Sequence, residues 1–422
     1  MGTQAKLNSA AREHTARILS FRLKLYNMAN RKPKVRRWFY LVLFVGTAAA
    51  CLLAAEIAVR LTWARDYPRR DPFYEYQSEV GLVHKPGHYQ LPFVRCLTDK
   101  PCENVTVQFN VNRQGFRGPD FREPAGHPLV AVIGDSQIEG QQVDDEQLAT
   151  ARLQELLKPG LPDVEVRNFA ITSAGFVHYY ATWSKFIAAQ RPAVLIIAPI
   201  GGNDFRNCST KLETFAPMRP HYTFAPDGTR QVHFAATPNS HSQLRLMLSR
   251  QWDKLELVRF LRWFSAVRQE EKRAIKIGDA EIIADISIYE NPPDADYALA
   301  AALGQEYLQR LIREANAAGT KVIVAALPWR DEALDEEWAK QQSLYTQSGR
   351  TAHLERQRPE NIIRETAQTQ GAQFVSFADA VHKVPTAQQR GLWHKDDLHM
   401  TAQGQQFLAE TLAPLVAQTL AH

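Results

Sequence analysis

From residue 127 onward, short unbroken apolar runs alternate with stretches in which apolar positions recur every three or four residues. Leu129–Ile133 and Ala193–Ile200 are runs of the first kind and predict buried strands of a parallel sheet, and Lys321–Leu327 reads as a further strand. Val164–Val166 and Gln373–Ser376 read as two shorter strands. Helical spacing predicts helices over Asp144–Leu157, Val177–Gln190, Ala298–Ala318, Pro359–Gln370 and Ala402–Ala417. Their ends carry the usual signals: acids Asp144, Asp145 and Glu146 at one N-terminus, Arg191-Pro192 as a stop, and Gly319 as a C-cap. Alternating strands and helices predict a doubly wound α/β domain. Ligands in such sheets bind at the C-terminal ends of the strands.

Two other patterns precede this domain. Phe39 to Ala55 is an uncharged apolar run that Glu56 interrupts and Ile57-Ala-Val59 extends to Arg60. A bilayer crossing takes about 17–25 such residues. Residues 61–126 begin rich in Pro, Tyr and Arg, and then alternate as a strand does over Val105–Val111, before a turn over Asn112–Pro119. Residues 206–300 are a long insertion with a helical stretch around Leu244–Lys272. The expected organisation is therefore a basic tail (1–37), a transmembrane anchor (38–60), a juxtamembrane β-rich segment (61–126) and a catalytic domain (127–422) interrupted at about 206–300.

Charge refines this picture. The 422-residue chain has a net charge of +5, but residues 1–37 hold ten Lys and Arg against the single acid Glu13. The remainder has 40 basic and 44 acidic residues. The basic excess is thus a property of the tail and gives no sign of a nucleic-acid surface. The cluster Arg31 to Arg37 predicts a cytoplasmic N-terminus by the positive-inside rule, with everything after about residue 60 outside the cytoplasm. A cleaved signal peptide is the alternative, although a 37-residue charged leader is long for one. Cys96 and Cys102 flank a turn-like insert and either form a disulfide in an oxidising compartment or stand as two surface thiols. Cys208 is expected to be unpaired, and no cysteine and histidine grouping suggests zinc.

Candidate chemistry gathers after the predicted strands. Ser136 lies in Val130-Ala-Val-Ile-Gly-Asp-Ser-Gln-Ile-Glu-Gly140, Asn168-Phe-Ala-Ile-Thr-Ser-Ala-Gly175 follows the second strand, Gly201-Gly-Asn-Asp204 follows the third, and Asp396-Asp-Leu-His399 precedes the last helix. A serine hydroxyl becomes a nucleophile once a base takes its proton. His399 suits the base, and Asp396, three residues earlier, suits the acid that fixes its tautomer. Asn203 and the backbone N–H groups of Ser136 and Ser173 suit an oxyanion hole. The α/β-hydrolase elbow Gly-x-Ser-x-Gly is excluded, because Ile138 occupies its last position. A metal-dependent phosphoesterase built on Asp135, Asn203, Asp204, His394, Asp396 and His399 lacks the expected Asp-x-His ahead of Gly134.

These blocks resemble the SGNH (GDSL-type) hydrolase family over roughly residues 112–420. Gly134-Asp-Ser136 matches its nucleophile block, Gly201-Gly-Asn-Asp204 its oxyanion block, and Asp396-Asp-Leu-His399 its Asp-x-x-His block, continued by Thr401-Ala-Gln-Gly404. Val111-Asn-Arg-Gln-Gly-Phe-Arg-Gly118 looks like a lead-in seen in bacterial members. The resemblance implies a flavodoxin-like α/β/α sandwich, with ester hydrolysis or acyl transfer through an acyl-serine and no cofactor. The family's second block usually has Gly at the donor position; here Ser173 aligns, with Gly175 two residues on. Gln137 and Glu139 depart from the pattern and either line the pocket or face solvent.

The expected protein is a single-pass protein of the inner (cytoplasmic) membrane with its catalytic domain in the periplasm. It would hydrolyse or transfer O-acyl groups on a cell-surface glycan, with Trp252, Trp263, Trp329 and Trp393 as candidate sugar platforms. The alternatives are a lysophospholipase or thioesterase of the same fold, or a non-catalytic glycan-binding protein with envelope assembly partners.

Overall fold

The computed structural model describes residues 17–26, 34–62, 73–122 (without 78 and 99), 126–212, 220–224, 230–234, 255–258, 260–261, 276–277, 280–283 and 285–421. The chain forms two compact units, Met1–Asp66 with Trp252–Arg262, and Tyr67–Gln251 with Trp263–His422.

In the first unit, helix Lys34–Leu61 contains a stretch, Trp38–Leu61, long and apolar enough to cross a membrane. At 1.5 Å per residue its 24 residues span about 36 Å, against a hydrocarbon core of about 30 Å. Most of its large side chains are exposed. Glu56 is the exception. Its carboxylate accepts the backbone N–H groups of Glu256 (3.0 Å) and Leu257 (2.8 Å), which open a short helical segment, and the Nε–H of Arg60 (2.7 Å). The acid that interrupts the apolar run thus satisfies N–H groups that a helix start leaves unpaired.

The second unit is built on five parallel strands in the order Gln373–Ser376, Lys321–Ala326, Val194–Ala198, Leu129–Gly134, Glu165–Asn168. Side chains of successive strand residues enter opposite layers, as the period of two requires. Ala131, Ile133, Leu195, Ile197, Val322 and Val324 pack with Phe176, Tyr179, Tyr307, Leu308, Leu311 and Ile363. Val130, Val132, Ile196, Ile323 and Ala325 pack with Leu153, Leu157, Leu408, Leu412 and Val416. Helices Phe176–Thr182, Ala295–Ala317 and Arg358–Thr369 therefore cover one face, and Ala149–Leu157 and Ala402–Leu420 the other. This is the expected three-layer sandwich. The chain leaves Leu129–Gly134 for the edge strand on one side and returns to Val194–Ala198 on the other. That reversal opens a crevice at the C-terminal end of Leu129–Gly134.

Residues 73–122 form two antiparallel hairpins and a loop. Tyr74–Gln77 pairs with Gly81–His84, and Gly87–Arg95 pairs with Glu103–Val111. The Cys96–Cys102 disulfide closes the tip of the longer hairpin, and Cys208 is free and buried. Val80, Val83 and Phe116 share an apolar cluster with Ile133 and Phe176. Residues 73–122 are thus part of the same compact unit as the sheet.

Two helices differ from expectation. The helix predicted over Val177–Gln190 is regular only over Phe176–Thr182; a wider turn, Trp183–Ile187, and a tighter one, Ala188–Gln190, finish it. The Ser184 hydroxyl bonds the Tyr180 carbonyl there, and Arg191 ends the segment in a left-handed conformation. Asp144 starts a short turn, Asp145–Gln147, and the helix proper begins at Ala149. Asp144 and Asp145 instead accept the N–H groups of Gln108 and Asn110. In the insertion, Pro220–Phe224 pairs with Arg230–Phe234. Most of the helix expected around 244–272 lies outside the described residues.

Candidate active site

Ser136 opens the short helix Ser136–Glu139 directly after the strand Leu129–Gly134. Asp135 caps that helix, its carboxylate accepting the Gln137 N–H at 2.9 Å. Gly134 is needed here, because a Cβ at that position would meet the Ile138 side chain at 2.4 Å. The turn sets the Ser136 hydroxyl at the sheet's C-terminal edge, 2.8 Å from Nε2 of His399.

On the other ring nitrogen, Nδ1 of His399 is hydrogen-bonded to the carboxylate of Asp397. The same Asp397 oxygen accepts the His399 backbone N–H at 2.9 Å. This corrects the sequence assignment of Asp396. Asp396 is exposed and turned toward the disulfide, its Oδ2 3.7 Å from Cys102 Sγ. A local turn in which an aspartate bonds the backbone two residues on carries Asp397 to the ring and Asp396 away from it.

The electrostatics follow from this contact. Burial opposes the charge on Asp397, but the hydrogen bond and charge of His399 outweigh it and hold the carboxyl below its usual range. Burial also works against a charged His399, yet the Asp397 bond and charge, with smaller contributions from Asp135 and Glu139, raise its pKa above 6.5. Asp135 is pushed upward by burial, against its bonds to Gln137 and Asn203. His394 is buried and its pKa is lowered to about 4, chiefly by desolvation.

Asn203 starts the short helix Asn203–Arg206, and its Nδ2 donates to Asp135 at 3.1 Å. Ile171–Ala174 forms a turn closed by the Ala174 N–H on the Ile171 carbonyl at 3.1 Å. Ser173 occupies its third position with φ +53°, where a type II turn favours glycine. Thr172 and Ser173 line the pocket beside Ser136 and Asn203. Gly175, the other candidate donor, has its N–H engaged by Nδ1 of His178 at 3.0 Å. A Cβ there would also strike the Asp204 carbonyl at 2.5 Å, so Gly175 serves close packing. Asp204 lies behind the site, accepting from Tyr179 Oη (2.6 Å) and the Ile200 N–H (2.9 Å).

Gln137 and Glu139 neither line the pocket nor face solvent; both are buried. Gln137 donates to the Leu398 carbonyl and accepts the Met400 N–H, both at 3.0 Å, and so clamps the backbone on either side of His399. Arg117, from the lead-in segment, is fully buried and donates to the carbonyls of Gln108, Glu139, Gly140 and Val143. The segment ahead of the sheet therefore holds the chain just beyond Ser136.

A pocket of about 270 Å³ opens over Ser136 and His399. Its far wall carries Arg206, Ile283, Asp285, Tyr289, Trp329 and Leu398. Arg206 pairs with Asp285 at 3.1 Å, and Tyr297 Oη donates to Asp285 at 2.8 Å. Tyr289 Oη donates to buried Glu332, whose pKa burial raises to about 8. Trp329 meets His399 edge-on, with ring centroids 6.1 Å apart. Of the other candidate platforms, Trp393 is buried, and Trp252 and Trp263 lie outside the described residues. Among the described residues, the only grouping with metal-ligand spacing is Cys96, Cys102 and Asp396, and its sulfurs are consumed by the disulfide. Sequence reasoning missed Asp397, although it stands in the quoted block, and also Asp285 and Tyr289, which no motif marks.

A model of the GDSL-like Lipase/Acylhydrolase family matches residues 132–407. Comparison with curated proteins finds no match. Among solved structures, TesA is 17% identical, and the match covers 69% of this chain and 99% of that one at a TM-score of 0.35. A two-domain esterase active on acetylated mannans, co-crystallised with mannopentaose, is 9% identical over 70% of this chain and 50% of that one, at a TM-score of 0.34. A catalytic mutant of Axe2, an acetylxylan esterase from Geobacillus stearothermophilus, is 13% identical over 70% of this chain and 96% of that one, at a TM-score of 0.35.

Proposed function

The chain belongs to the GDSL-like lipase/acylhydrolase family, and from that premise we propose a membrane-tethered serine esterase that removes or transfers O-acyl groups on an extracytoplasmic glycan. Ester hydrolysis of the GDSL type comes with the family. The observation that carries the rest is the relay from Ser136 through His399 to Asp397, opening onto a pocket whose far wall sets Arg206, Asp285 and Tyr289 beside Ile283, Trp329 and Leu398.

In this reading Ser136 Oγ attacks the ester carbonyl while Nε2 of His399 takes its proton. Asp397 keeps the ring oriented and stabilises the imidazolium. The Ser136 and Ser173 N–H groups and Asn203 Nδ2 stabilise the tetrahedral oxyanion. His399 then returns the proton to the departing sugar oxygen, leaving an acyl-Ser136. Water, or a second sugar hydroxyl, attacks that acyl-enzyme with His399 again as base.

Arg206, Asp285 and the Trp329 ring support a substrate rich in hydroxyl groups over a long alkyl chain. The apolar stretch Trp38–Leu61, behind the basic cluster Arg31 to Arg37, supports a tether with its N-terminus in the cytoplasm. The test is acyl release from O-acetylated oligosaccharides and from p-nitrophenyl palmitate, using the detergent-solubilised full chain beside Ser136→Ala. Release of acetate from the sugars, at a rate well above palmitate release and lost in Ser136→Ala, is the expected result. Preference for palmitate would replace the glycan reading with a lipid esterase.

A further inference from the structure

Glu139 is a fully buried carboxylate three residues after the nucleophile, outside the pocket. Four groups converge on it, three of them from other segments of the chain. Nε2 of His84 lies 2.6 Å away, Tyr74 Oη donates at 3.0 Å, and Gln141 Nε2 donates at 2.7 Å. The fourth is the backbone N–H of Thr172, inside the turn that presents Ser173. The His84 ring stacks against both Phe73 and Tyr74, which also touch each other, with Phe109 at its edge. Nδ1 of His84 has no partner among the described residues, so the ring proton belongs on Nε2, aimed at Glu139. Burial alone would favour neutral Glu139, but the bonds from His84, Gln141 and Thr172 hold its pKa below the ordinary carboxylate value.

We infer that Glu139 is a positioning residue that locks the oxyanion turn Ile171–Ala174 to the nucleophile helix, and that Tyr74 and His84 of the N-terminal hairpin are part of this lock. The role rests on the acyl-serine reading of Ser136. Thr172 is bound through its backbone, so the carboxylate fixes the chain one residue from a proposed oxyanion donor. Oxyanion donors act by preorganisation, so loosening the turn costs transition-state stabilisation and leaves ground-state binding nearly unchanged. Residues 73–84 are then a working part of the catalytic centre.

Glu139 also acts at a distance on the base. The charged groups facing His399 are Asp397, Asp135 and Glu139, with His394 as a neighbouring ring. Removing the Glu139 charge lowers the His399 pKa, because that charge favours the imidazolium. A residue that served stability alone would not couple the rate to the pH profile in this way.

The test uses the full chain in detergent, with p-nitrophenyl acetate as substrate and Ser136→Ala as the blank. Glu139→Gln is expected to lower kcat by about 10- to 100-fold with KM within about twofold, and to move the acid limb of kcat/KM to lower pH. Glu139→Asp keeps the charge but not the reach, so it restores the pH limb without restoring the rate. Tyr74→Phe is expected to lower kcat about threefold or more with the limb unmoved, and it carries the test if Glu139→Gln does not fold. A folded Glu139→Gln enzyme with parental kcat and pH limb, whatever its melting temperature, overturns the inference, as does an unaffected Tyr74→Phe. A parent that leaves the ester intact removes the serine-hydrolase reading itself and this role with it.

Discussion

One carboxylate oxygen of Asp397 bonds both the backbone N–H and the ring Nδ1 of His399, while the neighbouring Asp396 points to the disulfide. The two acids are adjacent in sequence and face different partners. Asp397→Asn is expected to lower kcat by about 10³- to 10⁴-fold, because the amide favours the wrong tautomer of His399. Asp396→Asn is expected to stay within about threefold of the parent. Steady-state kinetics on a soluble acetyl ester distinguish them, and the reverse ranking would return the acid's role to Asp396.

The pH profile gives an independent check. His399 must be neutral to accept the Ser136 proton, and its pKa is raised above 6.5. Activity should therefore fall as the pH drops through a value above the ordinary histidine pKa of 6.5, seen as the acid limb of kcat/KM. Asp397→Asn removes the largest contribution that favours the imidazolium, so its limb should lie at lower pH. A parental limb at or below 6.5 would contradict the assignment of His399 as a base paired to Asp397.

Ser173 holds a positive φ that a Cβ makes costly, by about 1–2 kcal/mol. Ser173→Gly removes that strain and keeps the backbone N–H. The expected outcome is activity within about threefold of the parent and a melting temperature equal or higher. Ser173→Pro, which deletes the N–H and cannot hold the positive φ, should lower kcat by at least about 10²-fold. Full activity in a folded Ser173→Pro enzyme would take this N–H out of the oxyanion hole.

Arg117 is buried and spreads its guanidinium over carbonyls on both sides of Gly140, with Asp145 as its charge partner at 2.8 Å. A lysine cannot reproduce that fork. Arg117→Lys should destabilise the protein by about 3 kcal/mol or more, measured by chemical denaturation. A loss below about 1 kcal/mol would mean that the lead-in segment is not what fixes the chain beyond the nucleophile.

Much of this architecture is legible in the sequence, and for definite reasons. Leu129–Gly134, Val194–Ala198 and, after the exposed Lys321, residues 322–326 are buried on both faces, so these stretches are continuous apolar runs with no competing pattern. Ser136 and His399 stand out because they sit where a doubly wound sheet exposes strand ends. Asp397 was hidden by its neighbour: spacing alone cannot decide which of two adjacent acids a turn delivers to the ring. Gln137 and Glu139 were ambiguous because their partners, Leu398, Met400 and His84, come from distant segments. Asp285 and Tyr289 reach the pocket from the far end of the insertion, where only the folded chain shows what they face.

The central claim is that Ser136 is an activated nucleophile, and a fluorophosphonate probe tests it most directly. The full chain in detergent, its Ser136→Ala variant and its His399→Ala variant would be incubated with the probe, digested and mapped by mass spectrometry. The account predicts a single labelled peptide carrying the adduct on Ser136, no labelling in Ser136→Ala, and labelling slowed by about 10³-fold or more in His399→Ala. A folded parent that stays unlabelled, or a Ser136→Ala variant that labels as fast, would contradict it.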